Sequence, residues 1–392
     1  MQSITFLMHN IYSMGGTVKA VTQLANVLAA KGHKVKIISV FKGSKAPYFK
    51  LHQDIEVQPL VDYNLSPQNL MDIFMNRIRK WTPFIKPQII TENEPGLAQF
   101  SSYVEKKIVT AVSEIDTDVL VGTRASYNLL VADYAPKDVL TVGMEHMNWD
   151  AYSKSYRQEI QAAYQDLDRI TVLTDADRKA FQSVIQTPVY IVPNMMNEPR
   201  IEIPKKPQII AAGRLEYEKG FDLLLRSVEH IQDSLRDMNY TVHIYGDGQQ
   251  KHDLEEFIQQ HQLNDIVQLY PATMHLPLRL AESTITVVPS RNEGFGLVIL
   301  EAMNQGSIVI SYKGNTGPET LIQTNRNGFL AEYQSIVSLS EHILNVMTAP
   351  PSEQGKIIES AFETVAKYSP DKVYEDFIKA IHAPQPETEE IE

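Results

Sequence analysis

The 392-residue chain contains no cysteine, which excludes disulfides, thiolate metal sites and a cysteine nucleophile. It has no run of about 18 apolar residues, so no segment suits a membrane-crossing helix. The start, Met1-Gln2-Ser3-Ile4, lacks the basic stretch and cleavage site of a secretory signal, and the expected location is the cytoplasm, the inner face of the membrane included. Acidic residues are missing from positions 1–50, which hold seven lysines. Residues 1–193 carry 20 Lys and Arg against 19 Asp and Glu, and the remainder carries 16 against 29, so the net charge of −12 lies in the second half. Two readings of the basic start are open: attraction of an anionic acceptor or membrane surface, or an ordinary solvated face. Nucleic acid is not an expected partner.

What is present is a long alternation of strand-like and helix-like segments, enough for two α/β domains with parallel sheets covered on both faces. Strands are expected at Ile4–Met8, Val35–Val40, Val119–Gly122, Leu140–Met144 and Ile170–Leu173. The segment Pro193–Pro199 has turn formers at both ends and no periodicity, so it reads as a linker, and a new alternation opens at Ile209–Gly213. Two such units leave a cleft between the carboxyl edges of their strands, where open parallel sheets bind ligands. The domains are therefore placed at 1–193 and 194–365, followed by a capped amphipathic helix at 366–382 and an acidic, proline-bearing, disordered tail at 383–392. Residues 67–86 set Leu70, Phe74, Ile78 and Trp81 at helical spacing beside Arg77, Arg79, Lys80 and Lys86. Such a helix either lies in a membrane interface or packs its apolar side on the first domain.

The most informative stretch is Glu293-Gly294-Phe295-Gly296-Leu297-Val298-Ile299-Leu300-Glu301, which follows the β-branched run Ile285–Val288. It places two carboxylates around glycines where a strand becomes a helix. A ligand there would meet free N–H groups from Gly294 to Leu297. Glu293 in the loop suits sugar hydroxyls and Glu301 in the helix suits a ribose diol, because an ionised carboxylate is an acceptor only.

This glutamate pair around Gly-Phe-Gly-Leu resembles the motif of the retaining glycosyltransferases of family 4, which have the GT-B fold. The resemblance implies an α/β architecture of two Rossmann-like domains with an interdomain cleft and a C-terminal helix crossing back to the first domain. Gly213-Arg214-Leu215-Glu216-Tyr217-Glu218-Lys219-Gly220 also matches the family pattern. An Arg fork and a Lys charge can offset the negative charge growing on a diphosphate leaving group without a metal, so no cofactor is expected. The loop Met14-Gly15-Gly16-Thr17 is similar to the family's glycine loop, with Thr17 as the expected N-cap.

His146, in Glu145-His146, stands where the family carries a histidine near the donor sugar; alternatively it bonds a loop carbonyl. Gly246 and Ala272 fall in loops that flank the base in the family, which more often has glycine where Ala272 stands, leaving the base open. Arg124 and Tyr127 follow a strand end and would touch acceptor or phosphate. Asp175-Ala176-Asp177 suits helix capping better than a metal triplet.

The implied function is retaining transfer of a hexose or N-acetylhexosamine from a nucleoside diphosphate sugar, UDP-glucose or UDP-N-acetylglucosamine. The acceptor would be a cell-surface glycan, teichoic acid, lipid or protein-linked group, with an anionic or lipid-linked acceptor and peripheral membrane association among the expected partners. The alternatives are a sugar-nucleotide epimerase or hydrolase of the same fold, and a non-catalytic partner subunit.

Overall fold

The computed structural model describes residues 1–79 and 86–384. The chain forms two compact units, Met1–Met195 with the segment from Pro370 onward, and Met196–Ser369. The exchanges at 195/196 and 369/370 fall two and four residues beyond the boundaries expected from sequence.

Unit 1 is built on seven parallel strands: β1 (Ser3–Met8), β2 (Lys34–Lys42), β3 (Glu56–Asp62), β4 (Val119–Gly122), β5 (Leu140–Met144), β6 (Arg169–Val172) and β7 (Val189–Ile191). Their order is β3-β2-β1-β4-β5-β6-β7. Helices cover both faces of a sheet of this kind, so β4 is apolar and buried at every position, as a centre strand of a parallel sheet must be. The order reverses between β1 and β4, which pair from Ile4 opposite Val119 to Leu7 opposite Gly122, and the loops leaving those two strands therefore diverge and open a crevice at the carboxyl edge.

The last described helix, Pro370–His382, belongs to unit 1. It buries Val373, Phe377, Ala380 and Ile381, the i, i+4, i+7, i+8 pattern of one helical face. Phe377 stacks on Phe6 of β1 at 6.4 Å, while Lys31 pairs with Asp371 at 2.6 Å and His33 Nε2 lies 3.1 Å from the Tyr374 hydroxyl. Unit 2 has six parallel strands: β8 (Lys206–Ala212), β9 (Thr241–Tyr245), β10 (Val267–Tyr270), β11 (Ser283–Val288), β12 (Ile308–Tyr312) and β13 (Phe329–Ala331). Their order is β10-β9-β8-β11-β12-β13, so the reversal lies between β8 and β11. No helix among the described residues is long and apolar enough to cross a membrane.

Three local expectations change. Thr17 does not cap its helix: the helix runs Gly16–Ala30 with Gly15 as N-cap, and Thr17 is already inside the first turn. The segment at 67–86 begins as a short 3-10 turn, Pro67–Asn69, and continues as the helix Leu70–Arg79; Lys80 and Trp81 lie outside the described residues, as do 385–392 of the expected tail. Leu70 and Phe74 are 58% and 57% exposed, so these two residues are not packed on unit 1. Three of the seven early lysines, Lys31, Lys36 and Lys42, pair with Asp371, Glu56 and Asp62, so the basic start is neutralised in part.

Candidate functional site

In unit 2 the two loops at the reversal point meet. The loop after β8 carries Arg214 and Lys219, and the loop after β11 carries Glu293. Lys219 Nζ lies 2.6 Å from Glu293 Oε2, which also accepts from Ser290 Oγ at 3.1 Å. Oε1 is left for another donor. Arg214 is exposed, and among the described residues its guanidinium has no hydrogen-bond or ion-pair partner.

The loops are held by contacts that the sequence reading missed. Arg291 donates to both carboxylate oxygens of Asp222, at 2.8 and 2.7 Å, and to the Tyr217 carbonyl at 2.7 Å, while its guanidinium lies 3.9 Å from the Tyr217 ring centre. Asn315 is buried; its Oδ1 accepts from the Glu293 amide at 2.9 Å and its Nδ2 donates to the Ser290 carbonyl at 3.0 Å. Gly220 has φ of 67° and a Cβ there would stand 2.0 Å from the Pro289 carbonyl oxygen, so only glycine lets the two loops touch.

Gly296, at φ 82°, precedes the helix Leu297–Asn304. The amides of Gly294 to Leu297 donate to no protein acceptor among the described residues, as expected for a helix mouth. Phe295 contributes backbone only: its ring is buried edge-on against Tyr368 at 5.6 Å. Glu301 lies one turn into the helix and is buried. Ala272 donates its amide to Asp247 at 3.0 Å, which ties the loops after β9 and β10 together. At Gly246 a Cβ would fall 1.9 Å from the Gly213 carbonyl oxygen, so the protein's own backbone accounts for this glycine without a ligand.

In unit 1 the carboxyl edge gathers buried ionisable groups. Glu145, just past β5, accepts from Asn128 Nδ2 at 3.0 Å and from the hydroxyls of Tyr152 and Tyr164; burial pushes its carboxyl up to about 7 in spite of those donors. His146 follows. Its Nε2 is out of solvent with no hydrogen-bond partner, and burial lowers the ring to about 4, so the imidazole is neutral near pH 7. The loop-carbonyl alternative thus does not hold for Nε2.

Arg124 pairs with buried Glu94 at 2.5 Å, and the second Glu94 oxygen is enclosed without a partner. Tyr127 is a correction: it is fully buried, its hydroxyl 2.8 Å from His9 Nδ1, because the first turn of its helix faces the core and not the strand edge. His9, another residue missed, immediately follows β1; burial and then the nearby Arg124 charge lower it to about 4. Gly15 is extended at φ 169°, and a Cβ there would meet only Val18 at 3.8 Å, so the protein does not itself demand glycine.

Asp175 and Asp177 do belong to a helix start. The Thr174 hydroxyl accepts from the Asp177 amide at 3.0 Å, and Asp175 pairs with Arg178 and Lys179, both at 2.7 Å. A groove of about 1270 Å³ in unit 1 opens at the amino ends of the strands, near Ser3, His33, Lys34 and Thr117, and none of the edge residues above lines it.

The chain that carries these loops is similar to known proteins. Residues 197–364, nearly all of unit 2, match the family model described as glycosyl transferases group 1. The chain is 29% identical over 355 residues to an exopolysaccharide phosphotransferase of Streptomyces coelicolor, covering 88% of this chain and 37% of that protein. It is 25% identical over 350 residues to an uncharacterized glycosyltransferase of Haemophilus influenzae, covering 86% of this chain and 88% of that one. Among solved structures it is similar to TarM of S. aureus in complex with alpha-GlcNAc-glycerol and UDP, with a TM-score of 0.78 at 15% identity over 98% of this chain and 100% of that one. The architecture of two parallel-sheet, Rossmann-like units is the GT-B fold.

Proposed function

We propose that the chain is a retaining glycosyltransferase that moves a hexose or N-acetylhexosamine from UDP-glucose or UDP-N-acetylglucosamine to a cell-surface glycan, teichoic acid, lipid or protein-linked acceptor. The observation that carries the reading is the Lys219–Glu293 pair at 2.6 Å, beside unpartnered Arg214 and the open helix mouth after Gly296. The match of unit 2 to group 1 glycosyl transferases supports it, and a neighbour of the same fold was solved with UDP.

In this reading unit 2 holds the nucleotide sugar and unit 1 the acceptor. Arg214 and the amides from Gly294 to Leu297 contact the diphosphate, and Glu301 the ribose. Lys219 serves both the phosphate and Glu293, whose Oε1 accepts from a sugar hydroxyl. The bond from the anomeric carbon to the diphosphate oxygen breaks, the acceptor oxygen bonds to that carbon on the same face, and the acceptor proton ends on the departing diphosphate. The cations and amides stabilise the charge that develops there, and no metal is required. Within unit 1, His146, neutral and with Nε2 unpartnered, contacts a substrate hydroxyl, and Gly15 and Gly16 leave room for close approach of a ligand.

A thermal-shift screen of nucleotide sugars, followed by mass spectrometry of candidate acceptors with the stabilising donor, tests this. Transfer of one sugar with retained anomeric configuration is expected. Donor turnover without an acceptor would make the chain an epimerase or hydrolase, and donor binding with no turnover across the acceptors a non-catalytic subunit.

A further inference from the structure

Two tyrosines of unit 2, Tyr217 in the loop after β8 and Tyr333 just past β13, are 60% and 50% exposed and yet held in place. The Arg291 guanidinium lies 3.9 Å from the Tyr217 ring centre and donates to the Tyr217 carbonyl at 2.7 Å, while the Gly220 amide donates to the same carbonyl at 3.2 Å. Ring and backbone are both fixed. The Tyr333 hydroxyl donates to the Arg291 carbonyl at 3.2 Å, and its ring leans on Gly314, where a Cβ would stand 3.4 Å away. A turn closed by the Ser335 amide on the Glu332 carbonyl at 2.9 Å, with the Glu332 amide on Ser338 Oγ at 3.1 Å, holds the backbone beneath it. Arg291 thus ties both rings together.

An exposed ring that is already immobile gives up little conformational freedom when a ligand covers it, so its contact area converts into affinity. What surrounds the rings selects the ligand. Lys313 pairs with Glu332 at 2.5 Å in the open, Glu218 is exposed beside Tyr217, and the Asp222 side chain keeps 29% of its surface in solvent. An apolar protein surface laid over the tyrosines would dehydrate these charges without replacing their hydrogen bonds. A pyranose ring meets both demands, since its C–H face covers an aromatic ring while its rim of hydroxyls bonds to carboxylates and ammonium groups.

We propose that Tyr217 and Tyr333 form a binding platform for the pyranose rings of a glycan chain, separate from the groups assigned to the nucleotide sugar. The platform stands apart from sugar transfer: a chain that binds glycan here without transferring sugar keeps it, and one that transfers sugar without binding glycan here loses only the platform.

The full chain is titrated calorimetrically with maltohexaose and with chitohexaose, each with and without excess UDP, and with a glycerol phosphate oligomer that has no pyranose face. Binding of one or both oligosaccharides is expected in the presence and absence of UDP, and none of the glycerol phosphate oligomer. Tyr217→Ala and Tyr333→Ala each weaken it about tenfold, which corresponds to about 1.4 kcal/mol, with melting curves showing that both variants are folded. Tyr217→Phe keeps the ring and binds as the parent does, whereas Tyr217→Leu keeps bulk alone and binds like the alanine variant. The proposal is overturned if neither oligosaccharide binds, if both alanine variants bind as the parent does, or if Tyr217→Leu does. Displacement of the oligosaccharide by UDP would assign the rings to the nucleotide site and overturn it too. So would light scattering that shows a dimer dissolved by Tyr217→Ala, since a second copy would then cover the rings.

Discussion

Arg291→Met should separate the clamp from the residues it positions. The substitution keeps the aliphatic bulk and removes two charge-assisted bonds to Asp222, one to the Tyr217 carbonyl and the stacking on the Tyr217 ring. Hydrogen bonds to charged groups contribute about 1.5–3 kcal/mol each at most, and they are not additive. The Arg291 side chain is 10% exposed but that of Asp222 is 29%, so the abandoned carboxylate regains water and the full cost of a stranded buried charge does not apply. The net loss is about 2–3 kcal/mol. At roughly 2–4 °C per kcal/mol for a unit of this size, the melting temperature of unit 2 falls by about 4–12 °C.

The second effect is on geometry. The loop of Lys219 and the loop of Glu293 are joined through Arg291, so loosening it lets their 2.6 Å contact wander, and misplacement by about 1 Å costs about 10²-fold in rate. Scanning calorimetry gives the first quantity, and turnover measured well below the melting temperature gives the second. Arg291→Lys keeps the charge without the fork and should recover only part of each. A melting temperature within about 1 °C of the parent sinks the energetic argument, and a normal rate per folded molecule reduces the clamp to a structural tie.

Arg214→Ala or Lys219→Ala should each lower transfer about 10²–10³-fold with the fold intact; near-native turnover in either removes that cation from the mechanism. Activity should survive chelation of divalent ions, and loss restored by manganese or magnesium would show a metal requirement. Phe377→Ala, which empties a fully buried site against Phe6, should destabilise unit 1 by about 3–5 kcal/mol in urea unfolding, and a loss under about 1 kcal/mol would mean the last helix is not part of that core.

Acid stability should show two opposed slopes. His9 and His146 titrate near 4 when folded against 6.5 unfolded, so the unfolded chain binds more protons and stability falls as pH drops from 6.5 to 4. Glu145, near 7 folded against 4.5 unfolded, works the other way, and its contribution is lost as pH rises from 4.5 to 7. Urea midpoints across that range should fall less steeply toward acid in His146→Asn and should lose less with rising pH in Glu145→Gln. A variant whose profile parallels the parent's would show that its group is not held in the stated form.

The parts that were legible in the sequence are those whose cause is local. Strands buried on both faces, such as Val119–Gly122, have to be apolar throughout, and the turn from β11 into its helix has to have glycine at Gly296 because φ is positive there. What stayed hidden is contact between distant charges. Lys219 and Glu293 stand 74 positions apart and Asp222 and Arg291 stand 69 apart, and each charge taken alone reads as a surface residue. Gly246 illustrates the converse: whatever its part in binding a ligand, the fold itself requires glycine there, because the Gly213 carbonyl occupies the space a side chain would need.

The helix Leu70–Arg79 shows where periodicity stops being informative. Spacing reveals that one face is apolar, but which face turns inward depends on what waits beneath it, and here Tyr103, Lys107 and the Asp62 amide form a socket for a carboxylate. Those partners come from a strand before the helix and a helix after it, so no window along the chain contains the answer. Either the socket that holds Asp72 with three donors outweighs by itself the burial of a leucine and a phenylalanine, about 1.5–3 kcal/mol each, or the strand and helix around it fix the orientation. Asp72→Ala distinguishes the two. If the socket alone sets the orientation, the variant lets the helix turn Leu70 and Phe74 inward, and dye binding to exposed apolar surface falls. If dye binding is unchanged and only the melting temperature drops, the strand and helix around it fix the orientation and the socket merely stabilises it.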